Sequence, residues 1–278
     1  MSGNEKYILI KSINENNDFL LYSLIKNKEE TKIDLNEQTK KGETALFVAA
    51  KNNKLQYANA LIDAGADLNI KSKEGNTALI ISSIKGLTEI AKALINKGAN
   101  LDIKNNDGDT ALMIAISNGR TEIAKSLIEK GANLDVTDNN GNTALMIAAP
   151  QGNIDVVNAL IQKGANLDLK NNNGNTALMF AASNGNFDIG INAINIVKTL
   201  IENGANLDLK NNNGETADMV AIKHSNTEIV NALTNASKKD LETTIEEESN
   251  ETEGGKKTKR KTRKSKKTRR RRHSKRRR

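Results

Sequence analysis

The chain has no cysteine, no tryptophan, a single proline (Pro150) and only two histidines, His224 and His273, in 278 residues. The lack of cysteine removes disulfides, thiolate nucleophiles and cysteine-ligated zinc together, and fits a reducing compartment. Two histidines so far apart in sequence do not make a metal site. With four Phe and three Tyr as the whole aromatic complement, a core must be aliphatic, and large aromatic hot spots are few. The N-terminus lacks a basic region followed by an apolar stretch, and no run approaches the roughly 18 to 20 apolar residues that span a bilayer. The expectation is a soluble intracellular protein, cytoplasmic or nuclear, without a transmembrane segment. Catalytic signatures are missing as well: there is no GxxxxGK[ST], no GxGxxG after a strand, no HExxH and no GxSxG. No catalytic residue, metal site, cofactor or enzymatic activity is expected.

What is present is a charge split and a repeat. The net charge of +8 hides a tail, residues 256–278, that holds 17 of the 42 Lys and Arg and no acidic residue. Residues 1–255 keep 25 basic against 34 acidic side chains, a net of −9. Within that acidic body a glycine stands two residues before a Thr-Ala pair at Gly42, Gly75, Gly108, Gly141, Gly174 and Gly214, at intervals of 33, 33, 33, 33 and 40 residues. A fixed period of this length is the signature of a solenoid, whose units stack only on their neighbours.

The unit can be derived from its residues. Thr44, Thr77, Thr110, Thr143, Thr176 and Thr216 precede short apolar runs, where a hydroxyl can cap a helix. That helix ends at Asn-Gly pairs or near Pro150. A second helix follows, with apolar residues at helical spacing such as Ile123, Ala124, Leu127 and Ile128. It stops at Gly65, Gly98, Gly131, Gly164 and Gly204, where glycine takes the left-handed conformation cheaply. Leu101 and Ile103, or Leu167 and Leu169, then alternate with polar residues before an Asn-rich turn, a hairpin-like extension. Helices of about nine residues are unstable alone in water, so each unit depends on its neighbours. With helix layers ~8 to 10 Å apart, six units and a cap predict a slightly curved rod of roughly 60 Å.

The segment GNTALMIAAPQGNIDVVNALIQKGANLDLKNNN, residues 141–173, resembles an ankyrin repeat in length, glycine placement and closing GANLD. The resemblance covers about 42–236 and implies an all-α solenoid of helix-loop-helix-hairpin units. The repeats fall at 42–74, 75–107, 108–140, 141–173, 174–213 and a shortened 214–236. The family opens on Thr-Pro-Leu-His. Here alanine replaces the proline, and Phe47, Ile80, Met113, Met146, Met179 and Met219 replace the histidine, so the family's threonine–imidazole bond cannot form. Residues 1–41 repeat the second helix and DLN motif without the opening motif, as a degenerate N-terminal cap. At the other end Asp218 replaces the leucine of Leu46, Leu79, Leu112, Leu145 and Leu178, as suits the end of a stack. The 40-residue unit contains a seven-residue insertion. Phe187 and Ile189 stand seven before Ile194 and Ile196, so a second helix about two turns longer keeps its buried face; a loop around Gly190 is the alternative.

Partners of ankyrin proteins usually lie on the concave face of first helices and hairpin tips, which implies protein recognition. The positions after the apolar core differ between units: Lys51 and Asn52, Ile84 and Lys85, Ser117 and Asn118, Ser183 and Asn184, Lys223 and His224. Variation on a constant scaffold marks them as candidate protein-binding residues. The tips KNNDG, TDNNG and KNNNG are nearly interchangeable and Asn-rich, and Asp102, Asp135, Asp168 and Asp208 recur in register; turn geometry accounts for both.

Beyond residue 237 an acidic linker, 237–255, leads to the basic tail, 256–278. Neither can bury a core, so both are expected to be disordered. Lys256, Lys257, Lys259, Arg260, Lys261, Arg263, Lys264, Lys266, Lys267, Arg269, Arg270, Arg271, Arg272, Lys275, Arg276, Arg277 and Arg278 make a polyanion-binding segment or nuclear signal, attractive to RNA, DNA or an anionic surface through counterion release. No aromatic residue interleaves them, so base reading is not expected. The expected function is a non-enzymatic, monomeric adaptor that binds a protein through its repeats, with the tail for nuclear targeting or polyanion tethering. The alternative is a non-specific nucleic-acid-binding protein driven by the tail. Richness in Asn, Lys and Ile resembles proteins of AT-rich genomes such as those of large DNA viruses, which would place the chain in a host cell.

Overall fold

The recurring threonine decides where the inner helices start. In the computed structural model, which describes residues 7–183 and 190–238, Thr44, Thr77, Thr110, Thr143 and Thr176 each accept a hydrogen bond from the backbone N–H three residues on, at 3.2 to 3.4 Å. Such caps satisfy amides that have no partner in the first helical turn. The inner helices they open are α4 (Ala45–Lys51), α6 (Ala78–Lys85), α8 (Ala111–Ser117), α10 (Ala144–Ala148) and α12 (Ala177–Ser183). Pro150 lies in a 3-10 turn, Ala149–Gln151, that shortens α10. The last inner helix, α14 (Ala217–Lys223), has lost its cap: the Thr216 hydroxyl donates to Asp218 instead.

Outer helices answer each inner one: α5 (Leu55–Asp63), α7 (Thr88–Asn96), α9 (Thr121–Glu129), α11 (Ile154–Gln162) and α13 (Gly190–Glu202). The glycines that follow them sit at φ between 85 and 90°. Inner helices stack in one row and outer helices in another, each touching the next in chain order. A single aliphatic cluster runs through the whole stack from Leu9 to Leu233. Among the described residues there is no strand, only an isolated bridge between Thr137 and Thr143. The chain divides into two units, residues 1–233 and 234–278. Residues 227–233 form the outer helix of the last repeat, and in the second unit the described residues 234–238 are helical.

The first unit holds more than the sequence suggested. α1 (Ile8–Asn14) fills the place of an inner helix, with Leu9, Ile10 and Ile13 buried, and α2 (Asp18–Lys26) fills that of an outer one. A short added helix, α3 (Lys28–Thr31), carries Lys28, whose ammonium lies 2.6 Å from the Ala64 carbonyl. It places a cation at the negative end of α5.

A second register, made of polar bonds, runs along the tips. The backbone N–H groups of Lys73, Asn106, Asn139, Asn172 and Asn212 donate to the carbonyls of Lys41, Glu74, Asp107, Asn140 and Asn173 in the preceding repeat. The side chains of Asn106, Asn139, Asn172 and Asn212 also donate across, to the carbonyls of Lys73, Asn106, Asn139 and Asn172. Beneath this, Asn36, Asn69, Asp102, Asp135 and Asp168 accept from the N–H of Asp67, Asn100, Asn133, Asn166 and Asn206, all at 2.8 or 2.9 Å. The recurring acids and asparagines therefore hold loops together, as turn geometry implied.

The ladder passes through the 40-residue repeat unbroken, with Asp168 accepting from Asn206 at 2.8 Å and Asn212 donating to Asn172 at 3.0 Å. All the extra length lies between α12 and the middle of α13. α13 has 13 described residues against nine in α5, α7, α9 and α11, one added turn, with Ala193, Ile196 and Val197 fully buried. Phe187 and Ile189, on which a second added turn depends, lie outside the described residues.

Two stability predictions follow from the tips. At Gly141 (φ 80°) a Cβ would come within 2.8 Å of the Asn172 backbone nitrogen, whereas at Gly214 (φ 78°) nothing lies within 4 Å. Gly214→Ala is expected to cost only the left-handed strain, about 1 to 2 kcal/mol. Gly141→Ala is expected to cost distinctly more, because the next tip must move; urea denaturation of both variants measures the difference. The second concerns Asp109, whose carboxyl is pushed above its ordinary value by partial burial and then by Asp138 and Asp107. A raised carboxyl value means that the folded chain holds the proton more tightly, so this contribution favours folding at low pH and is lost as pH rises through the folded value. At the position of Asp138, Asn171 and Asn211 donate to Asn142 and Asn175 at 2.8 and 3.0 Å. Asp138→Asn is expected to stabilise the chain at neutral pH by about 1 kcal/mol and to flatten its stability against pH in the acid range.

Candidate functional site: the ends of the inner helices

Because the inner helices stack in register, their C-terminal ends form a row. Lys51, Ser117, Ser183 and Lys223 are the last residues of α4, α8, α12 and α14, and Ile84 and Lys85 close α6. Asn52, Asn118 and His224 follow as C-caps. Asn52, Lys85, Ser117, Asn118, Lys223 and His224 are exposed, while Lys51, Ile84 and Ser183 are half-buried. Asn184 lies outside the described residues. The fourth repeat contributes Pro150 and Gln151 through its 3-10 turn, positions the sequence reading passed over.

The two ends of the row share a device. Lys51 pairs with Glu43 at 2.8 Å and Lys223 with Glu215 at 3.0 Å, each glutamate standing just after a tip glycine. Between repeats five and six, Ser183, Lys223 and His224 come together around a shallow cleft of about 170 Å³, also lined by Met179, Phe180 and Glu215. Phe180 was not singled out by the sequence reading. Its signal was there, since it is the one aromatic in the register of Val48, Ile81, Ile114, Ile147 and Val220. His224 Nδ1 lies 2.9 Å from the Val220 carbonyl, a contact an Nδ1–H tautomer satisfies and one suited to a helix C-terminus. Among the described residues no carboxylate is hydrogen-bonded to this ring. Among the described residues no group of three His, Cys, Asp or Glu could hold a metal ion, and no helix is long and apolar enough to cross a membrane.

The outer face carries a different pattern. Lys92 pairs with Glu122 and Lys125 with Asp155, each across one repeat boundary; exposed pairs of this kind contribute ~1 kcal/mol or less. At the first boundary the Tyr57 hydroxyl donates to Asp18, a bond that holds the phenol proton and pushes its pKa up to about 12.

Glu215 gives the site a measurable probe. Hydrogen bonds from Asn211 and then Lys223 pull its carboxyl down to about 2. A lowered carboxyl value contributes stability that is full above the unfolded value and is lost as pH falls towards the folded one. In an NMR titration, Asn211→Ala is expected to move the Glu215 carboxyl up further than Lys223→Gln does, since the asparagine bond is the larger cause.

The family model for ankyrin repeats (3 copies) matches in three overlapping segments, residues 8–105, 97–171 and 163–245. No curated protein is significantly similar to the chain. Among solved structures, the ankyrin repeat domain of Bcl-3, a member of the IkappaB protein family, superposes with a TM-score of 0.70 at 25% identity, covering 82% of this chain and 97% of that one. An ankyrin repeat domain from Acinetobacter baumannii AYE gives 0.64 at 32% identity over 69% of this chain and 97% of its own. A chain in the complex of the predatory endopeptidase Bd0816 of Bdellovibrio bacteriovorus with the immunity protein Bd3460 gives 0.59 at 34% identity, over 71% and 98%. Sequence match, repeat geometry and structural likeness agree: the chain belongs to the ankyrin repeat family.

Proposed function

We propose that the chain is a non-enzymatic adaptor whose repeats bind a protein partner along the row of inner-helix ends, and whose basic tail tethers the pair to a polyanion or directs it to the nucleus. The observation that carries this reading is the division of labour within each repeat. The tip asparagines and acids are spent on bonds between repeats, whereas the exposed ends of the inner helices, from Asn52 to His224, differ in charge and size. Ankyrin repeats generally mediate protein–protein interaction, and a similar chain occurs in the Bd0816–Bd3460 complex. The tail's contribution rests on the 17 basic residues of 256–278 and the salt-sensitive attraction such a segment exerts.

The test is affinity purification from the native cell with the full chain, a chain lacking 256–278, and a Lys85→Glu/Asn118→Arg variant, each with and without nuclease. The double variant is expected to reduce capture of the protein partner at least tenfold, and the tail deletion to spare that partner while abolishing retention on immobilised RNA at low salt. If all captured proteins disappear with the tail or with nuclease, the adaptor reading fails and tail-driven nucleic-acid binding takes its place.

A further inference from the structure

Comparing the first and last repeats shows which inner-helix positions face which neighbour. The positions of Leu46, Phe47 and Ala50 are buried through repeat five. At the C-terminal end of the stack their counterparts are Asp218, half-buried, and Met219 and Ile222, 48% and 60% exposed, where earlier repeats bury Phe47, Ile80, Met113, Met146 and Met179 to 3% or less. These positions look towards the following repeat, and among the described residues none follows. The position of Val48 behaves oppositely: Val220 is still 7% exposed in the last repeat, while Lys11 at the same position of α1 is exposed. That side looks towards the preceding repeat.

The polar ladder is unfinished at the same two ends. Asp208 stands next in the series Asn36, Asn69, Asp102, Asp135, Asp168 but accepts no hydrogen bond from any described residue, and neither does the Asn213 carbonyl, next after Asn173. Gly214, unlike the five tip glycines before it, has no atom of a following tip above it. At the other end, the N–H groups of Asp34 and Lys40 occupy the donor positions of Asp67 and Lys73 one repeat earlier, and neither donates to a described residue. The C-terminal face thus presents acceptors, carboxylates and two apolar side chains. The N-terminal face presents donors in the same register and Lys11, whose ion pair among the described residues is a 3.9 Å contact with Glu15.

We propose that the occupant of the C-terminal face is the N-terminal cap of a second copy of this chain, so that copies join head to tail and the solenoid continues across the joint. Asn213 and Asp208 then receive the N–H groups of Lys40 and Asp34 of the next copy. Met219 and Ile222 are covered by the Lys11 stem, whose ammonium reaches Asp218. Such a contact is heterologous and does not close on itself, so it yields open chains of variable length rather than a fixed dimer. This inference is independent of the adaptor reading.

Sedimentation velocity on nuclease-treated full-length protein tests it. The weight-average mass is expected to climb with concentration past that of a dimer. Ile222→Lys, at a position exposed in the single chain and therefore harmless to its fold by circular dichroism, is expected to abolish the climb. Lys11→Glu and Asp218→Lys are each expected to weaken it and together to restore it. Because the chain has no cysteine of its own, a mixture of Lys40→Cys and Asn213→Cys chains reports the joint directly through an intermolecular disulfide. A mass that stays that of a monomer, as the sequence alone leads one to expect, overturns the proposal. So does association that survives Ile222→Lys, or that forms without the Lys40–Asn213 cross-link.

Discussion

Among the described residues no helix is long enough to stand alone, and everything else follows from that. The inner helices have five to eight residues and most outer ones nine, below the length at which helix propagation repays nucleation in water. Their stability comes from faces covered by the next repeat, so the folding unit is the boundary between repeats and not the repeat. This explains why one position of every outer helix from α5 to α13, Ala58, Ala91, Ala124, Val157 and Val197, is fully buried.

Two kinds of bond cross each boundary, and they set different things. Aliphatic packing is nearly indifferent to a small slide of one layer over another, because burial scales with area and has no direction. The tip and loop hydrogen bonds are directional, and they recur at one donor and one acceptor position in every repeat, which fixes the register. The fifth repeat separates the two contributions: it lengthens its outer helix while the ladder on either side keeps its 2.8 to 3.0 Å bonds. Length can be added where the boundary is apolar and tolerant, and not where it is polar and in register.

Much of this was legible in the sequence because each feature depends on near neighbours. A threonine three residues before the amide it caps, a glycine at a helix end and an apolar residue every three or four positions are local signals, and the 33-residue period multiplied each one. α1 escaped for the same reason: without Gly-x-Thr-Ala before it, only Leu9, Ile10 and Ile13 announced it, too few in a seven-residue segment. The loss of the cap at Thr216 was equally hidden, since it depends on where Asp218 directs its carboxylate once no following repeat covers it. Of the candidate site, the row of helix ends was readable from position alone. The cleft that gathers Ser183, Lys223 and His224 beside Phe180 was not, because it depends on the packing of two neighbouring layers.

The same separation bears on where recognition can evolve. A tip asparagine that donates to the preceding repeat and accepts within its own turn, as Asn171 does towards Asn142, Asn173 and Asn175, has little hydrogen-bonding capacity left for a partner, and replacing it loosens two repeats at once. Most inner-helix ends have no such obligation, the exception being the first boundary, where Asn52 donates to Asn14 at 3.2 Å. Ser117 and Asn118 bond only locally, through the helix they terminate, so substitution there changes the surface without changing the stack. Near-identity at the tips and diversity at the helix ends are thus two consequences of one architecture, in which positions that hold neighbours together are fixed by geometry and only the remainder is available for choosing a partner.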